Sequence, residues 1–232
     1  GAGDEVIVPA RSFFATASCV AAVGAMPVFA DVLSPSQNID PVSVERMITS
    51  RTKAVICVHL AGWPCDMPAL ADLCDRHELF LIEDCAQAHG AEIDGRKVGT
   101  FGDAASFSFC TDKIMSTGGE GGLLVMGDHT AHERAWSSKD HGKNPHKLSN
   151  GQGAPGQFRY VHDSLGTNAR MTEMQAAIGR VQLRKLPDWL AVRSANAGYL
   201  SNALANHPLV ETPEPPAGVT HAWYKYYLMI RP

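Results

Sequence analysis

Short runs of apolar and β-branched residues recur along the chain and predict buried strands. They occur at Glu5–Pro9, Pro27–Val32, Lys53–Leu60, Leu79–Glu83, Ala104–Phe109 and Gly121–Met126. Between them, apolar residues at helical spacing predict helices at Phe13–Val23, Val42–Ile48 and Met67–Arg76. Asp40 and Asp66 stand before the second and third of these helices, at N-cap positions. Strands that alternate with helices predict an α/β fold, with a three-layer, mostly parallel central sheet flanked by helices.

The second half of the chain has a less regular pattern. The polar, glycine-rich stretch Ser137–Gly166 predicts a long loop. Residues 151–156 match GxGxxG, but we reject them as a dinucleotide fingerprint, because no strand precedes them and Pro155 would disrupt the phosphate-binding turn. A helix is predicted over Met171–Ala205, with a kink or break at Pro187.

The end of the chain predicts a second structural unit. Pro213–Pro216 reads Pro-Glu-Pro-Pro and predicts a stiff linker, and the aromatic and apolar run His221–Ile230 predicts a new strand. We therefore expect one large domain over residues 1–212. Residues 213–232 would form a linker and the first strand of a truncated small C-terminal domain.

Composition narrows the classes of function. The 232 residues include 20 Lys+Arg and 24 Asp+Glu, a formal charge of −4, with 45% hydrophobic residues. This balance disfavours nucleic-acid binding through a basic surface, and no apolar run approaches the roughly 20 residues that span a membrane. The six cysteines form no CxxC pair, which favours free thiols over a disulfide framework or a metal site. The N-terminus lacks the features of a signal peptide, so a cytoplasmic location is expected.

Polar residues with possible chemistry stand at the ends of predicted strands. His59, Asp84 and Ser108 each lie at or just after the end of an apolar run. In a parallel sheet these ends meet at one edge, where ligands bind. Asp84 follows a wholly apolar strand, and a partly buried carboxylate there needs a cationic or hydrogen-bonding partner. The competing explanations are that Asp84 caps the next helix or pairs with a structural arginine.

A lysine and a glycine cluster follow the Ser108 strand. Lys113 comes five residues after Ser108, and Gly118–Gly122 lets the backbone approach a ligand closely. An arbitrary lysine is usually a solvated surface charge, but this one lies between a strand end and a glycine cluster. Together with Asp84, the set fits pyridoxal phosphate, which needs a lysine, a carboxylate for its pyridine nitrogen and donors for its phosphate.

The chain resembles the pyridoxal-phosphate sugar aminotransferases of the DegT/StrS family, which have the fold-type I aminotransferase architecture. The resemblance covers nearly the whole chain. It rests on these motifs, in order: Gly3–Ile7, Ser12–Thr16, Gly24–Phe29, Val58–Gly62, Glu83–Gln87, Ser106–Lys113, Gly119–Gly122, His141–Gly142 and Gly166–Met171.

The resemblance implies roles for three residues at the cofactor ring. Lys113 matches the lysine that forms a Schiff base with pyridoxal phosphate and moves the proton during transamination. Asp84 matches the aspartate that pairs with the pyridinium nitrogen. Gln87 matches the residue that hydrogen-bonds the phenolic oxygen of the ring.

Further roles follow from the same resemblance. Ser108 matches a phosphate-binding serine, and Phe13 matches an aromatic residue that stacks on the ring, with a core phenylalanine as the competing explanation. Asn168 resembles an asparagine that reaches the cofactor phosphate of the neighbouring subunit, which implies a homodimer with shared active sites. We interpret His59 as a structural residue near the site and Arg170 as a structural cap or ion-pair partner.

The resemblance also implies a reaction. An amino acid, glutamate by family habit, would supply an amino group, and a keto-sugar nucleotide or ketocyclitol would accept it. Family members normally extend beyond both ends of this sequence, so we expect an internal segment. One alternative is therefore a truncated, non-catalytic fragment. A second is a pyridoxal-phosphate sugar dehydratase, but such relatives carry histidine where Lys113 stands. A third is an α/β binding protein of another kind.

Overall fold

A computed structural model describes residues 1–149 and 160–231 of the chain. The GxGxxG match at residues 151–156 lies outside the described residues. Among the described helices, none is both long enough and apolar enough to cross a membrane. All six cysteines are free, as the sequence predicts.

Eleven strands are present in the described part of the chain. In chain order they are β1 (Glu5–Pro9), β2 (Met26–Ala30), β3 (Thr52–Val58), β4 (Phe80–Asp84), β5 (Glu92–Ile93), β6 (Arg96–Lys97), β7 (Ala104–Ser108), β8 (Gly122–Met126), β9 (Val210–Glu211), β10 (Val219–Thr220) and β11 (Met229–Ile230). The central sheet has the order β2-β1-β3-β4-β7-β8, and only β8 is antiparallel to its neighbour. The six predicted strands all lie in this sheet, so the prediction of a mostly parallel sheet is confirmed.

Six α-helices accompany the strands in the described residues. They are α1 (Ala15–Ala22), α2 (Pro41–Met47), α3 (Met67–Arg76), α4 (His129–Lys139), α5 (Pro145–Ser149) and α6 (Glu173–Leu204). The predicted aspartate caps are present: Asp40 accepts a hydrogen bond from the amide of Val42, and Asp66 accepts one from Ala69. These caps fix where α2 and α3 begin.

Side chains alternate between the two faces of the sheet, and both faces carry helices. Ile7, Val55 and Leu81 pack against residues of α2 and α3. On the other face, Val8 and Ile56 pack with Val20 of α1. Leu186 of α6 packs near Ala105 of β7, which shares a face with Leu81 by the period of two. The predicted three-layer arrangement is therefore confirmed.

Helix α6 continues past Pro187, as predicted, and of the predicted kink or break the break is excluded. Two details of the sequence prediction are wrong. The predicted loop Ser137–Gly166 begins inside α4 and contains α5. The run His221–Ile230 does not form one strand, because only Met229–Ile230 is extended, and it pairs with β9. The division of the chain at residues 212 and 213 stays a prediction.

Candidate active site

The candidate site lies at the carboxyl edge of the parallel sheet. Strands β3, β4 and β7 end at Val58, Asp84 and Ser108. Because Asp84 pairs in register with Ser106, and side chains two residues apart share a face, Asp84 and Ser108 lie on the same face of the sheet. The structure thus brings the predicted strand-end residues to one edge.

The two carboxylates that close β4 point to opposite faces of the sheet. Glu83 is fully buried and accepts hydrogen bonds from the amides of Gly99, Phe101 and Gly102, each at 2.7 Å. It also contacts Nε2 of His59 at 3.1 Å. Burial raises the pKa of Glu83, but the hydrogen bonds from His59 and the amides outweigh it and lower the pKa below the usual value. Glu83 is therefore an ionised group that the protein itself satisfies.

His59 forms the other half of this buried pair. Its Nδ1 accepts a hydrogen bond from the amide of Cys65 at 3.0 Å, so the proton is on Nε2, which donates to Glu83. The Sγ atom of Cys85 lies within 4.8 Å of the facing atoms of His59 and Glu83. Since both nitrogens of His59 and both oxygens of Glu83 have partners within the protein, hydrogen bonding accounts for the cluster. The interpretation of His59 as a structural residue fits this geometry.

Asp84 has a different environment on the α1 face. It is half-buried, its Oδ1 accepts from the amide of Ala86 at 3.0 Å, and its Oδ2 has a long contact, 3.4 Å, with the hydroxyl of Thr16. The predicted alternative of a structural arginine is wrong, because no cationic side chain in the described residues lies within ion-pair distance of Asp84. The bond to Ala86 is a local turn, and no α-helix follows it.

Lys113 lies in the loop after β7 and is largely covered. Its side chain is 16% exposed, and its Nζ lies 3.4 Å from the carboxylate of Asp112. The ring centroid of Tyr224 lies 5.1 Å from the same Nζ. This environment argues against the alternative of an ordinary solvated lysine.

Gln87 and Ser108 each keep a hydrogen-bonding group available. The Oε1 of Gln87 accepts from the amide of Ala61 at 2.7 Å, in a turn where Ala61 has a φ of 59°. Within the described residues its Nε2 has no hydrogen-bond acceptor. Ser108 accepts from the amide of Cys110 at 3.3 Å, which leaves its hydroxyl hydrogen free to donate. Both side chains are half-buried at the carboxyl edge of the sheet.

Phe13 and Asn168 both have exposed side chains. Phe13 lies two residues before the start of α1, and its side chain is 72% exposed, so the alternative of a core phenylalanine is wrong. Asn168 pairs with Asp140 in an isolated bridge and accepts a hydrogen bond from Nε of Arg170. Arg170 also lies 3.3 Å from Asp140, which agrees with a structural ion pair. Asn168 contacts neither Asp84 nor Lys113 within the described part of the chain.

Sequence reasoning missed four residues beside the site: Thr16, His89, Asp112 and Tyr224. Thr16 follows Ser12 by one helical turn, and their hydroxyls lie 2.6 Å apart, a spacing that the sequence shows. His89 is buried between Phe107 and Phe109, and neither of its ring nitrogens has a hydrogen-bond partner in the described residues. No sequence pattern connects the distant Tyr224 to Asp112.

Comparison with known proteins gives one consistent result. The model of the DegT/DnrJ/EryC1/StrS aminotransferase family matches residues 1–232. The chain is 38% identical over 226 residues to a dTDP-3-amino-3,4,6-trideoxy-alpha-D-glucose transaminase of Streptomyces venezuelae, covering 97% of the chain and 56% of that protein. It is 45% identical over 216 residues to a putative L-glutamine:3-amino-2,3-dideoxy-scyllo-inosose aminotransferase of Micromonospora echinospora, covering 91% of the chain and 49% of that protein.

The fold matches solved structures as well. The X-ray structure of an aminotransferase from Psychrobacter cryohalolentis superposes with a TM-score of 0.95 at 48% identity. The match covers 100% of this chain and 60% of that one. The chain therefore spans about half to three fifths of the length of the relatives that it matches.

Proposed function

Because the chain belongs to the DegT/DnrJ/EryC1/StrS aminotransferase family, we propose that the full-length protein is a pyridoxal-phosphate-dependent sugar aminotransferase. The observation that supports this most strongly is the pair formed by Asp84 and Lys113. Asp84 is a half-buried carboxylate with no cationic partner among the described residues, and Lys113 is a largely covered amine. They stand at the ends of neighbouring strands, at the same edge of the sheet.

The residues at this edge fit pyridoxal phosphate. The cofactor's protonated ring nitrogen is a cation, and Asp84 is a half-buried carboxylate that has no cationic partner in residues 1–149 and 160–231. The exposed ring of Phe13 offers an aromatic face, since aromatic rings gain from offset stacking. The free donors of Gln87 and Ser108 suit the phenolic oxygen and the phosphate. The ring nitrogen, the ring face, the phenolic oxygen and the phosphate of the cofactor each have a candidate partner among these residues.

Pyridoxal phosphate, when bound, supplies a carbonyl that takes up the amino group and a ring that accepts electrons. In our proposal the amine of Lys113 binds the cofactor and then carries the proton to and from the substrate carbon. Asp84 holds the ring nitrogen protonated. Thr16, which contacts Asp84 and is itself buried, orients that carboxylate.

The substrates are proposed from the chemistry of the relatives. The names of the two relatives specify a sugar nucleotide and an aminated cyclitol. We therefore propose a keto-sugar nucleotide or a ketocyclitol as the acceptor. The proposed donor is an amino acid, glutamate, although the name of the cyclitol relative specifies L-glutamine. Testing both donors separates these cases.

We also propose that the protein works as a cytoplasmic homodimer with shared active sites. The exposure of Asn168 supports the shared site, because a side chain at the surface is available to a neighbouring subunit. Chemical cross-linking and sedimentation of the full-length protein test the dimer.

The decisive experiment is an absorbance spectrum of the full-length protein after incubation with pyridoxal phosphate and desalting. We expect a retained visible band that disappears in Lys113→Ala but persists in the control Lys53→Ala, which changes an exposed lysine at the opposite end of β3. Addition of glutamate should bleach the band. A folded protein that retains no band, or a band that survives in Lys113→Ala, would contradict the proposal.

A further inference from the structure

The aromatic segment His221–Tyr227 packs back onto the loops of the candidate site. The amide of Ala222 donates to the carbonyl of Gly62 at 2.8 Å, and that of Lys225 donates to Ala61 at 3.1 Å. From α6, Arg193 donates to the carbonyl of Trp223 at 3.0 Å. These contacts fix the position of Tyr224, which lies within this segment.

Tyr224 reaches the residue next to Lys113. Its hydroxyl donates to Oδ2 of Asp112 at 2.6 Å, a short charge-assisted hydrogen bond. Its ring lies 5.1 Å from the Nζ of Lys113. The same Asp112 carboxylate approaches Lys113 only to 3.4 Å, which is longer than the usual 2.7–2.9 Å of an ammonium–carboxylate bond.

We propose that Tyr224 is a positioning residue for Lys113: its hydroxyl holds the Asp112 carboxylate and so prevents a close ion pair with the lysine amine. The inference rests on the proposed function. An amine attacks a carbonyl only when it is neutral, and a carboxylate in close contact favours the charged ammonium. A hydroxyl that occupies the carboxylate therefore favours the reactive form of Lys113.

The protonation states of the pair agree with this arrangement. The hydrogen bond from Tyr224 lowers the pKa of Asp112, so this carboxyl is ionised at neutral pH. Burial, followed by the contact with Asp112, raises the pKa of Tyr224 well above its usual value, so the phenol keeps its proton. Tyr224 is therefore the donor and Asp112 the acceptor throughout the physiological range.

Other titratable groups face this cluster from neighbouring elements. The Nζ of Lys225 lies 5.4 Å from the ring centroid of Tyr224. The thiol of Cys110 interacts with the carboxylate of Asp112, and its Sγ lies 3.2 Å from Oε1 of Glu120. His89 interacts electrostatically with Lys113 and is neutral, because burial lowers its pKa to about 4. Tyr227 interacts with Tyr224. Only Asp112 places a carboxylate within 4 Å of Lys113 in the described residues.

A cofactor-free measurement tests the inference. Trace labelling of Lys113 with acetic anhydride, followed by peptide mass spectrometry, gives the pH midpoint at which its amine reacts. Tyr224→Phe keeps the ring and removes the hydroxyl. We expect this change to raise the midpoint by up to about 0.7 pH unit, the size of an ion pair with an exposed carboxylate. Tyr199→Phe, at an exposed position of α6, is the matched control and should leave the midpoint unchanged.

The variant Asp112→Asn provides the second part of the labelling experiment. It should lower the midpoint, and adding Tyr224→Phe to it should have no further effect, because the carboxylate that the hydroxyl holds is gone. An unchanged midpoint in Tyr224→Phe, or equal effects of Tyr224→Phe with and without Asp112, would overturn the inference. Since the labelling uses no cofactor, a failure to bind pyridoxal phosphate would count against the proposed function alone.

Discussion

Glu83 and Asp84 are adjacent carboxylates at the end of one strand, yet their surroundings differ completely. Glu83 is fully buried and has four hydrogen-bond donors from this chain. Asp84 is half-buried, with one short bond to a backbone amide and one long hydroxyl contact. The protein satisfies the first carboxylate itself and leaves the second one open. A carboxylate's availability for a ligand therefore depends on the face to which the strand directs it.

The same contrast holds for the two faces of the sheet near these residues. Around Glu83, the 99–102 turn and His59 complete a closed hydrogen-bond network. Just before α1, which contacts Asp84 through Thr16, the aromatic residues Phe13 and Phe14 are 72% and 79% exposed. The Glu83 carboxylate serves the stability of the fold, and the Asp84 carboxylate is available to a ligand.

The largest expected effect is on the face of the sheet that carries Glu83. Glu83→Ala leaves His59 and three backbone amides without partners in a buried position. We expect the free energy of unfolding to fall by about 3–5 kcal/mol. Urea denaturation measures this. Asp84→Ala is the matched control and should cost only about 1 kcal/mol, because Asp84 is partly solvated and weakly bonded. Equal losses of unfolding free energy in the two variants would contradict the difference between Glu83 and Asp84.

Acid should destabilise the protein through two buried histidines, His89 and His221. Burial lowers the pKa of His89 to about 4 from 6.5, so the unfolded chain binds a proton over this range and the folded chain does not. Stability is therefore full above pH 6.5 and falls as the pH drops towards 4, by up to about 3 kcal/mol. His221, whose pKa burial lowers to about 3, adds to the loss.

His89→Phe tests this pH dependence, because its neighbours Phe107 and Phe109 accommodate another aromatic ring. We expect a smaller slope of unfolding free energy against pH between 4 and 6.5. His207→Phe, at an exposed position, is the control. An unchanged slope in His89→Phe would show that this histidine is not held neutral.

The affinity for the cofactor tests the proposed role of Asp84 on the other face of the sheet. Asp84→Asn removes the charge that would pair with the cofactor's ring nitrogen. We expect the affinity for pyridoxal phosphate to fall roughly 10- to 150-fold, the equivalent of about 1.5–3 kcal/mol for a charged hydrogen bond. Asp66→Asn makes the same change at the cap of α3, where asparagine caps equally well, and should leave the affinity unchanged. Fluorescence titration compares the two.

The smallest expected effect is at Phe13. Phe13→Leu should weaken cofactor binding about 2- to 12-fold, from a stacking contribution of about 0.5–1.5 kcal/mol. Phe80→Leu is the control, since Phe80 is also exposed but begins β4, at the opposite end of that strand. Similar weakening in both variants would mean that Phe13 has no special contact with the cofactor.

The sequence predicts the sheet and its edge well because their signals are local. Runs of apolar residues mark the strands, and Asp40 and Asp66 mark helix starts by their capping chemistry. Helix α4 is not predicted, because none of its residues is buried and its sequence therefore lacks a stripe of apolar residues at helical spacing. Pro187 does not end α6, since Leu186, Trp189 and Leu190 pack on the core around it and outweigh the lost hydrogen bond.

The functional contrast is not readable from the sequence. Glu83 and Asp84 are adjacent in the chain, and only the register of β4 with its neighbours decides which carboxylate meets the 99–102 turn. The aromatic run at His221–Tyr227 suggests a strand, but Trp223 has a φ of 50° and stacks on His221 at 4.0 Å. That turn, which brings Tyr224 to Asp112, depends on contacts between residues more than 100 positions apart.

The most direct test of the central claim is to locate the cofactor chemically. The full-length protein is incubated with pyridoxal phosphate, reduced with borohydride and digested, and the modified peptide is identified by mass spectrometry. The account predicts one modified residue per chain, Lys113, with the yield strongly reduced in Asp84→Asn and unchanged in Asp66→Asn. Modification of a different lysine, or an undiminished yield in Asp84→Asn, would contradict it.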